Sequence, residues 1–297
     1  MIGSSSAKVA LCYSGLPNIE KFAVEEFFKK TGIEPSNVDL FCCFWNVNVD
    51  RDKIDAISKK FNNSFIFFVE PEAINLPFLS DYLKFPETRI DRVLSMLFIR
   101  RQLLVAINSQ SNFYEAYIFS RPDIYIKKSI NINYLFENLG VGHDIFFPDA
   151  GNFRNGYPDV MVLANYSGLK EYLSAFDRLE EILNSRDEYV CPESFLDLVK
   201  EFYAFLNLLF TGRMRYMFNK VPLHPENITR KNIELSGLRV GFFEVGEIIV
   251  KRDSVFSTLP VTAKQSTLRL VQALVAESIS DLDMRIDAIF KANMINK

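Results

Sequence analysis

The sequence predicts an α/β protein in which helices cover both faces of a mixed sheet. Short runs of β-forming residues alternate with helical patterns through about Asp123, and this alternation is typical of parallel strands joined by helices. Mixed strands and helices follow, so only the first half of the sheet is expected to be parallel. The chain has 297 residues, of which 48% are apolar, enough to bury one large core or two smaller ones.

The first half of the chain consists of strands and helices up to one long helix. In that helix Arg100 and Arg101 lie at or beside the apolar stripe. Such arginines usually extend to the edge of an apolar face; the alternative is that one of them contacts a phosphate. Strands are predicted over Lys8–Tyr13, Val38–Trp45 and Ser64–Val69, a loop over Asn75–Glu87, and helices over Ile19–Lys30, Asp52–Phe61 and Arg89–Ile107.

The second half continues with strands, helices and a glycine-containing loop. Ser167 is expected to cap one helix, and Pro192 suits the first turn of another. Strands are predicted over His143–Asp149, Asp159–Ala164, Arg215–Val221 and Leu238–Lys251, a loop over Gly151–Pro158, and helices over Ser167–Asn184 and Pro192–Phe210.

The last segment, Lys264–Met294, has apolar residues at three- and four-residue steps, which predicts an amphipathic helix. It has too few clean heptads for a coiled coil, so packing on its own domain is the simpler interpretation, and self-association is the alternative. The predicted organisation is one domain over residues 1–258 followed by this helical tail over 259–297. Within the domain, about 7–127 forms one half and about 128–258 the other.

The composition excludes several classes of protein. A formal charge of -3 provides no basic field for duplex nucleic acid. Four cysteines without a CxxC pair and only two histidines argue against a zinc site or a disulfide framework and fit a reducing compartment. Met1–Ser6 does not resemble a signal peptide, and no apolar run approaches membrane-spanning length. We therefore expect a cytoplasmic protein. It also lacks a GxSxG elbow, a catalytic Cys–His pairing and a kinase signature set.

The centre of the predicted site is the polar stretch Ser120–Asp123, which interrupts a run of β-forming residues that begins with Tyr117–Phe119. Proline cannot donate to a sheet ladder, so Pro122 is expected to mark the end or a kink of a buried strand. Arg121 and Asp123 would then lie at a strand's carboxyl end, where open α/β sheets bind ligands. The alternative is an Arg–Asp pair that only stabilises the turn.

A second candidate lies after the first strand, where Ser14 and Gly15 precede a helical pattern. A strand, a glycine-containing loop and a helix are the start of a nucleotide-binding unit. A single glycine makes neither a dinucleotide fingerprint nor a P-loop. The loop amides and Ser14 could hold a phosphate or a ribose, or the segment is a plain tight turn.

Several motifs in this order resemble the GT-A type of sugar-nucleotide glycosyltransferases of bacteria and viruses, which build surface polysaccharides. The motifs are Cys12–Pro17, Val38–Trp45, Leu94–Leu97, Tyr117–Tyr125, Ile145–Asp149, Asp159 and Pro192-Glu193. The resemblance covers most of residues 7–255, and its specificity is in the order and spacing of motifs. It implies a Rossmann-type α/β/α sandwich with a nucleotide-binding half and an acceptor half.

The resemblance also implies roles for individual residues. In the donor site it places Ser14, Gly15, Arg92, Ser95, Arg100, Arg121 and Asp123. For the base that takes the acceptor's proton it offers Glu193 first, Asp159 second and Asp149 third. The alternative for Glu193 is a favourable charge at a helix N-terminus, and for Asp159 a residue at a strand edge.

One departure from the family concerns the metal. Ordinary members have Asp-x-Asp at the end of the central strand, where it holds Mn²⁺ or Mg²⁺ on the donor diphosphate. Here Arg121, Pro122 and Asp123 stand at that place. Either Asp123 alone holds the metal with water and phosphate ligands, or Arg121 takes over part of the charge neutralisation.

The expected partners are a nucleoside-diphosphate sugar as co-substrate and a glycan or lipid-linked acceptor. Phe202–Lys220 combines aromatic residues with cations, which is compatible with contact to a membrane surface; a core segment followed by an exposed loop is the alternative. The helical tail could support a homo-oligomer. The other classes of function are a non-catalytic protein that binds sugar nucleotides or glycans, and an assembly protein.

Overall fold

The computed structural model describes residues 9–17, 19, 21–71, 74, 76, 79, 89–110, 114–149, 156–158, 160–185, 221, 223–245, 248–252 and 255–258. Its strands are β1 (Val9–Gly15), β2 (Val38–Trp45), β3 (Asn63–Val69), β4 (Ala116–Ser120), β5 (Ile124–Ile126), β6 (Ile145–Pro148), β7 (Met161–Ala164), β8 (Val240–Phe243), β9 (Ile248–Arg252) and β10 (Val255–Thr258). Its helices are α1 (Lys21–Thr31), α2 (Arg51–Ser58), α3 (Ile90–Asn108), α4 (Ile132–Asn138), α5 (Tyr166–Leu173), α6 (Leu179–Asn184) and α7 (Pro225–Leu235), with a 3-10 turn at Pro35–Asn37.

The main sheet has seven strands in the order β3-β2-β1-β4-β7-β6-β8. β3, β2, β1 and β4 are mutually parallel, β7 is antiparallel to both β4 and β6, and β8 is parallel to β6. The mixed α/β sheet predicted from the sequence is therefore confirmed, including its parallel first half. A separate sheet of three strands has the order β10-β9-β5.

Helices cover both faces of the main sheet because successive side chains of each strand point to opposite sides. On one face α1, α2 and α4 pack on residues such as Leu11, Leu40 and Ile118. On the other face α3 and α5 pack on residues such as Cys12 and Phe119. We call these the α1 face and the α3 face.

Pro122 has the place predicted for it. β4 ends at Ser120, although the Arg121 amide still donates to Val160 O at 2.9 Å and extends the ladder to β7 by one bond. Pro122 has no N–H to donate to a neighbouring strand, and the chain leaves the main sheet there. It resumes as β5, which pairs with β9 in the second sheet.

Several details of the second half differ from the prediction. The helix predicted over Ser167–Asn184 is two helices, α5 and α6, because Arg178 at the corner forms ion pairs with both Glu171 and Glu181. Asn165, not Ser167, caps α5, accepting from the Gly168 amide at 2.8 Å.

The strand predicted over Leu238–Lys251 is divided between the two sheets as β8 and β9, and α7 was not predicted at all. The predicted segments Pro192–Phe210 and Lys264–Met294 lie outside the described residues, as does all of Arg215–Val221 except Val221. The domain boundaries stay a prediction. Among the described helices, none combines the length and apolarity that crossing a membrane requires.

A buried carboxylate ties three segments together at the amino-terminal edge of the sheet. Asp39, near the start of β2, is 3% exposed. It accepts hydrogen bonds from Tyr114 Oη at 2.7 Å, Asn62 Nδ2 at 2.7 Å and Asn63 Nδ2 at 3.0 Å. Tyr114 precedes β4, and Asn62 and Asn63 lie at the start of β3. The Asp39 carboxylate therefore links the ends of β2, β3 and β4.

A second carboxylate at the same edge, Asp144, makes the stability of the fold depend on pH. Asp144 accepts a fork from Arg239, at 3.0 Å from Nε and 2.9 Å from Nη2, and a further bond from Asn165 Nδ2. The hydrogen bond from the Arg239 side chain is the largest cause that lowers the pKa of Asp144 from 3.8 to about 2; burial opposes it.

We expect this pair to stabilise the protein above about pH 4, because the unfolded carboxyl is ionised there, and to lose its contribution as pH falls from about 4 to about 2. The pair contributes about 1 kcal/mol to the free energy of unfolding, a value reduced from the full pKa shift because Arg239 is half-exposed and screened by water. Urea unfolding of wild type and Asp144→Asn across this range measures it. A difference between the two that is the same at pH 2 and pH 6 would contradict the linkage.

Candidate active site

The strand order places one crevice at the carboxyl-terminal edge of the main sheet. From β1 the chain moves through β2 to β3 on one side, whereas β4 lies on the other side of β1. The boundary between β1 and β4 is therefore the topological switch point, where open α/β sheets bind ligands. Ser14 and Gly15 end β1 there, and the turn from Ser120 to Asp123 follows β4.

Arg121 and Asp123 form a bidentate ion pair in this turn. Arg121 Nε donates to Asp123 Oδ1 at 3.0 Å, and Nη2 donates to Oδ2 at 2.8 Å. The side chains are only 28% and 18% exposed. Two parallel charge-assisted bonds fix the plane of the guanidinium relative to the carboxylate, which a lysine could not do.

Three of the residues predicted for the site lie on one face of the sheet. Ser14, Arg121 and Asp149 each follow by two positions a strand residue whose side chain packs in the α3-face core, namely Cys12, Phe119 and Phe147. Because side chains alternate along a strand, all three point to the α3 face. The pairing of β1 with β4 ends at Cys12 and Phe119, and Ser14 and Arg121 each lie two residues beyond that pair at the same edge of the sheet.

Asp149 lies on the same edge, two strands beyond Arg121. Its amide donates to Phe243 O at 2.8 Å, which continues the β6–β8 ladder by one bond. Arg121 and Asp149 flank the start of β7 from its two sides, so their backbones are about 10 Å apart. The Asp149 side-chain oxygen Oδ1 is buried and accepts no hydrogen bond from the residues that the structure describes.

Gly15 supports the crevice through its backbone. Its φ of 122° lies in the region that favours glycine, so a larger residue would strain the turn. A Cβ added to Gly15 would meet no atom of the described residues within 4 Å.

Arg100 lies directly beneath this edge, on the α3 face. It is 2% exposed, and its guanidinium carbon is 5.0 Å from the centre of the Phe119 ring and 4.9 Å from that of Tyr172. The sandwich joins α3, β4 and α5. Arg101 is the arginine that extends to the edge of the apolar face: its side chain is 39% exposed and pairs with Asp177.

The other predicted donor residues are nearer the start of α3. Ser95 is half-buried and Arg92 is exposed. At 1.5 Å per residue they are about 8 and 12 Å along the helix from Arg100, towards the carboxyl-terminal edge. Glu193 and Asp159, the first two candidates for the base, lie outside the described residues.

The described residues do not fit a divalent cation. Both oxygens of Asp123 already accept from Arg121, and a metal ion on this carboxylate would lie close to the guanidinium charge. Within the ranges that the structure describes, no three His, Cys, Asp or Glu side chains converge to hold a metal.

The thiols of the main sheet are not nucleophiles. Cys12, Cys42 and Cys43 are buried. Burial raises the pKa of Cys43 to about 12 and moves the pKa of the other two thiols further upward. All three thus remain protonated at neutral pH and serve as core residues.

Sequence reasoning missed two features near the site. Tyr172 completes the Arg100 sandwich but gave no local signal, because it follows an ordinary helical stripe. The N-terminal turn of α7 packs against the chain at Gly156, where a Cβ would come within 2.5 Å of the Glu226 backbone. Pro225 at the first helical position, followed by Glu226, was a helix-start signal that could have revealed α7.

No protein-family model matches the chain, and no curated protein sequence is similar to it. Among solved structures, mouse xyloside xylosyltransferase 1 in its apo form is 12% identical over 79% of this chain and 84% of that chain, with a TM-score of 0.37. The glycosyltransferase GlyE of Streptococcus pneumoniae TIGR4 is 12% identical over 80% of this chain, with a TM-score of 0.36; the match spans only 45% of the GlyE chain. Similarity at this level does not carry an activity over to the present chain.

Proposed function

We propose that this protein is a glycosyltransferase that moves a sugar from a nucleoside-diphosphate sugar to a glycan or lipid-linked glycan in the synthesis of a surface polysaccharide or glycoconjugate. The observation that carries the proposal is the arrangement at the switch point between β1 and β4. Ser14 and Arg121 each lie two residues beyond the last pair of β1 and β4, Asp123 fixes the guanidinium of Arg121, and Asp149 lies on the same face and edge. A cation, a hydroxyl and carboxylates at one strand edge suit a ligand with both phosphates and sugar hydroxyls.

The reaction breaks the bond between the anomeric carbon of the sugar and the diphosphate, which leaves with the bonding electrons. An acceptor hydroxyl oxygen bonds to the anomeric carbon, and its proton passes to a carboxylate. Arg121 stabilises the negative charge that grows on the leaving diphosphate. Glu193, Asp159 and Asp149 are the proposed bases in that order, and Asp149 is the one among them that the structure describes.

Ser14 and the open backbone at Gly15 are proposed to line the nucleotide, with Ser95 and Arg92 on the neighbouring turns of α3. For Arg100, burial between two rings favours support of the strand end over direct contact with the donor. We further propose that the enzyme works in the cytoplasm, at the membrane surface where the acceptor is lipid-linked.

A non-catalytic protein that binds sugar nucleotides is the second candidate. The Arg121–Asp123 pair suits it equally well, because a fixed guanidinium can bind phosphates without any catalytic base. The two candidates share the binding site and differ in turnover, so release of free nucleoside diphosphate in the presence of acceptor extracts separates them.

A thermal-shift screen with UDP-, GDP-, CMP- and dTDP-sugars tests the proposal. One donor at about 100 times its Kd stabilises the native state by about 2.7 kcal/mol, which raises the Tm by about 5 °C for a chain of this size. The shift is expected to disappear in Asp123→Ala and to persist in Asp91→Ala, because Asp91 forms a similar fork with Arg89 on an exposed surface. The absence of a shift with every donor would show that the proposal is wrong.

A further inference from the structure

We propose that two copies of this chain associate through β3, the strand at the outer end of the main sheet. The two β3 strands run antiparallel across a two-fold axis at Ile66 and join the sheets of both copies into one. β3 is separated from the crevice between β1 and β4 by β2, so the inference does not depend on the proposed function.

The outer side of β3 is an open sheet edge. β3 is the end strand of its sheet, and within the described part of the chain only β2 pairs with it. Every residue of β2 is buried, whereas Ser64–Val69 are all half-buried. The difference arises because β2 has a strand on each side and β3 has one. The backbone of such an edge is a template for pairing with another strand.

The sequence of β3 lacks the features by which edge strands usually avoid association. Those features are short length, lysine or proline within the strand, and bulges. β3 has seven residues, none of them lysine or proline, and its pairing with β2 continues without a break in register. Five consecutive large apolar residues, Phe65–Val69, lie in it. An open edge of this kind favours aggregation unless a specific partner covers it.

A hydrogen bond at the end of β3 shows which of its residues face outward. The Asn46 amide donates to Val69 O at 2.8 Å, so the peptide groups of Val69 face β2. Peptide groups alternate between the two sides of a strand, so the other odd-numbered residues of β3 also face β2. Ser64, Ile66 and Phe68 therefore direct their backbone N–H and C=O groups to the open side.

This edge is complementary to a second copy of itself. In an antiparallel pair centred on Ile66, Ser64 of one copy pairs with Phe68 of the other. The three outward residues of each copy then exchange about six hydrogen bonds. On the α3 face the same register places Phe65 opposite Phe67 of the other copy, on both sides of the axis. Aromatic pairs directly opposite each other stabilise an antiparallel ladder.

The charges at the two ends of β3 also match in this arrangement. The turn before β3 carries Lys59, which is exposed and forms no ion pair with the residues that the structure describes, and the residue after β3 is the exposed Glu70. Antiparallel pairing brings the lysine end of one strand to the glutamate end of the other, whereas a parallel pair would bring like charges together. The partner that fits this edge is therefore a second copy of the chain.

Covalent trapping tests the register. The full-length Ile66→Cys variant is oxidised with diamide at tens of micromolar and analysed on a non-reducing gel. The two Cα atoms at position 66 would be about 5.5 Å apart, which suits a disulfide, so most chains should become a linked dimer. Ser64→Cys is the matched control, because Ser64 lies on the same strand and face while its two copies would be about 14 Å apart. Wild type controls for the native cysteines.

Sedimentation velocity tests the association without a covalent link. Wild type should sediment with twice the mass of one chain at tens of micromolar. Glu70→Lys should raise the Kd of the dimer about threefold to tenfold, because it replaces an attraction by a repulsion at both ends of the interface. Adding Lys59→Glu to that variant restores opposite charges and should recover most of the loss, which a folding defect would not allow.

Two results would overturn the inference. One is a wild type that sediments as a monomer at every concentration. The other is a dimer in which Ile66→Cys and Ser64→Cys cross-link equally or not at all, because self-association would then use a different surface.

Discussion

Replacement of Asp39 by alanine is expected to lower the free energy of unfolding by about 3 kcal/mol. Asp39 is buried and accepts from three donors that belong to Tyr114, Asn62 and Asn63. Its removal takes this acceptor from the buried phenol of Tyr114, and losing the partner of a buried donor costs about 1 to 3 kcal/mol before relaxation. The amides of the exposed residues Asn62 and Asn63 lose the same acceptor but can bond to water. The loss is larger than for a surface ion pair because water has little access to the buried Tyr114 side chain and does not readily replace the carboxylate there.

Urea unfolding followed by the fluorescence of Trp45, the single tryptophan, measures the change, because Trp45 ends the same strand that Asp39 begins. Asp39→Asn keeps the volume and one acceptor oxygen, so it should lose less than the alanine variant. Asp55→Ala on the exposed side of α2 is the control. If the Asp39 and Asp55 variants unfold at the same urea concentration, the network does not stabilise the fold.

The main features of the fold were readable from local chemistry. β-forming runs bounded by polar residues marked β1, β2 and β3, and Pro122 marked the end of β4 because the missing N–H has the same consequence in any sheet. The place of Ser14 and Arg121 at one edge also followed, since carboxyl ends of parallel strands share an edge. None of this required knowledge of the neighbouring segments.

The details that failed depend on contacts between distant segments. The break between α5 and α6 is fixed by Arg178, which bonds to Asn232 on α7 as well as to its own neighbours. α7 itself was missed because its buried side chains include Asn227, Thr229 and Arg230, so the apolar periodicity that identifies most helices is weak. Polar residues become buried only when other elements supply their partners, which a local pattern does not reveal.

The candidate site shows the same division. Sequence alone named Arg121 and Asp123 but left open whether they bind each other or a ligand. The bidentate geometry shows that the two side chains bind each other. Whether the guanidinium of Arg121 also contacts a ligand depends on the segments that surround it. For Arg100 the sequence indicated an arginine near an apolar stripe, while burial between rings depends on Tyr172 in a later helix.

Arg100→Ala is expected to have the second large effect, about 3 to 4 kcal/mol of lost stability together with a weaker donor site. The side chain fills the space between Phe119 and Tyr172 at 5.0 and 4.9 Å from their ring centres. Its truncation removes two cation–π contacts and leaves a cavity where β4, α3 and α5 meet. Arg100→Met keeps most of the volume without the charge, so it should recover the packing part of the loss.

The matched control is Arg101→Ala, because Arg101 is the next residue of the same helix, is 39% exposed and forms only a surface pair with Asp177. That variant should lose less than about 1 kcal/mol. Phe119 lies two residues before Arg121 on the same face, so a cavity beneath the Phe119 ring would let the end of β4 move. A shift of about 1 Å in a binding group weakens the contacts of that group severalfold or more. Arg100→Ala should therefore raise the Kd for the donor about tenfold while Arg101→Ala leaves it unchanged. Equal urea midpoints and equal donor affinities for the two variants would mean that the sandwich supports neither the fold nor the strand end that carries Arg121.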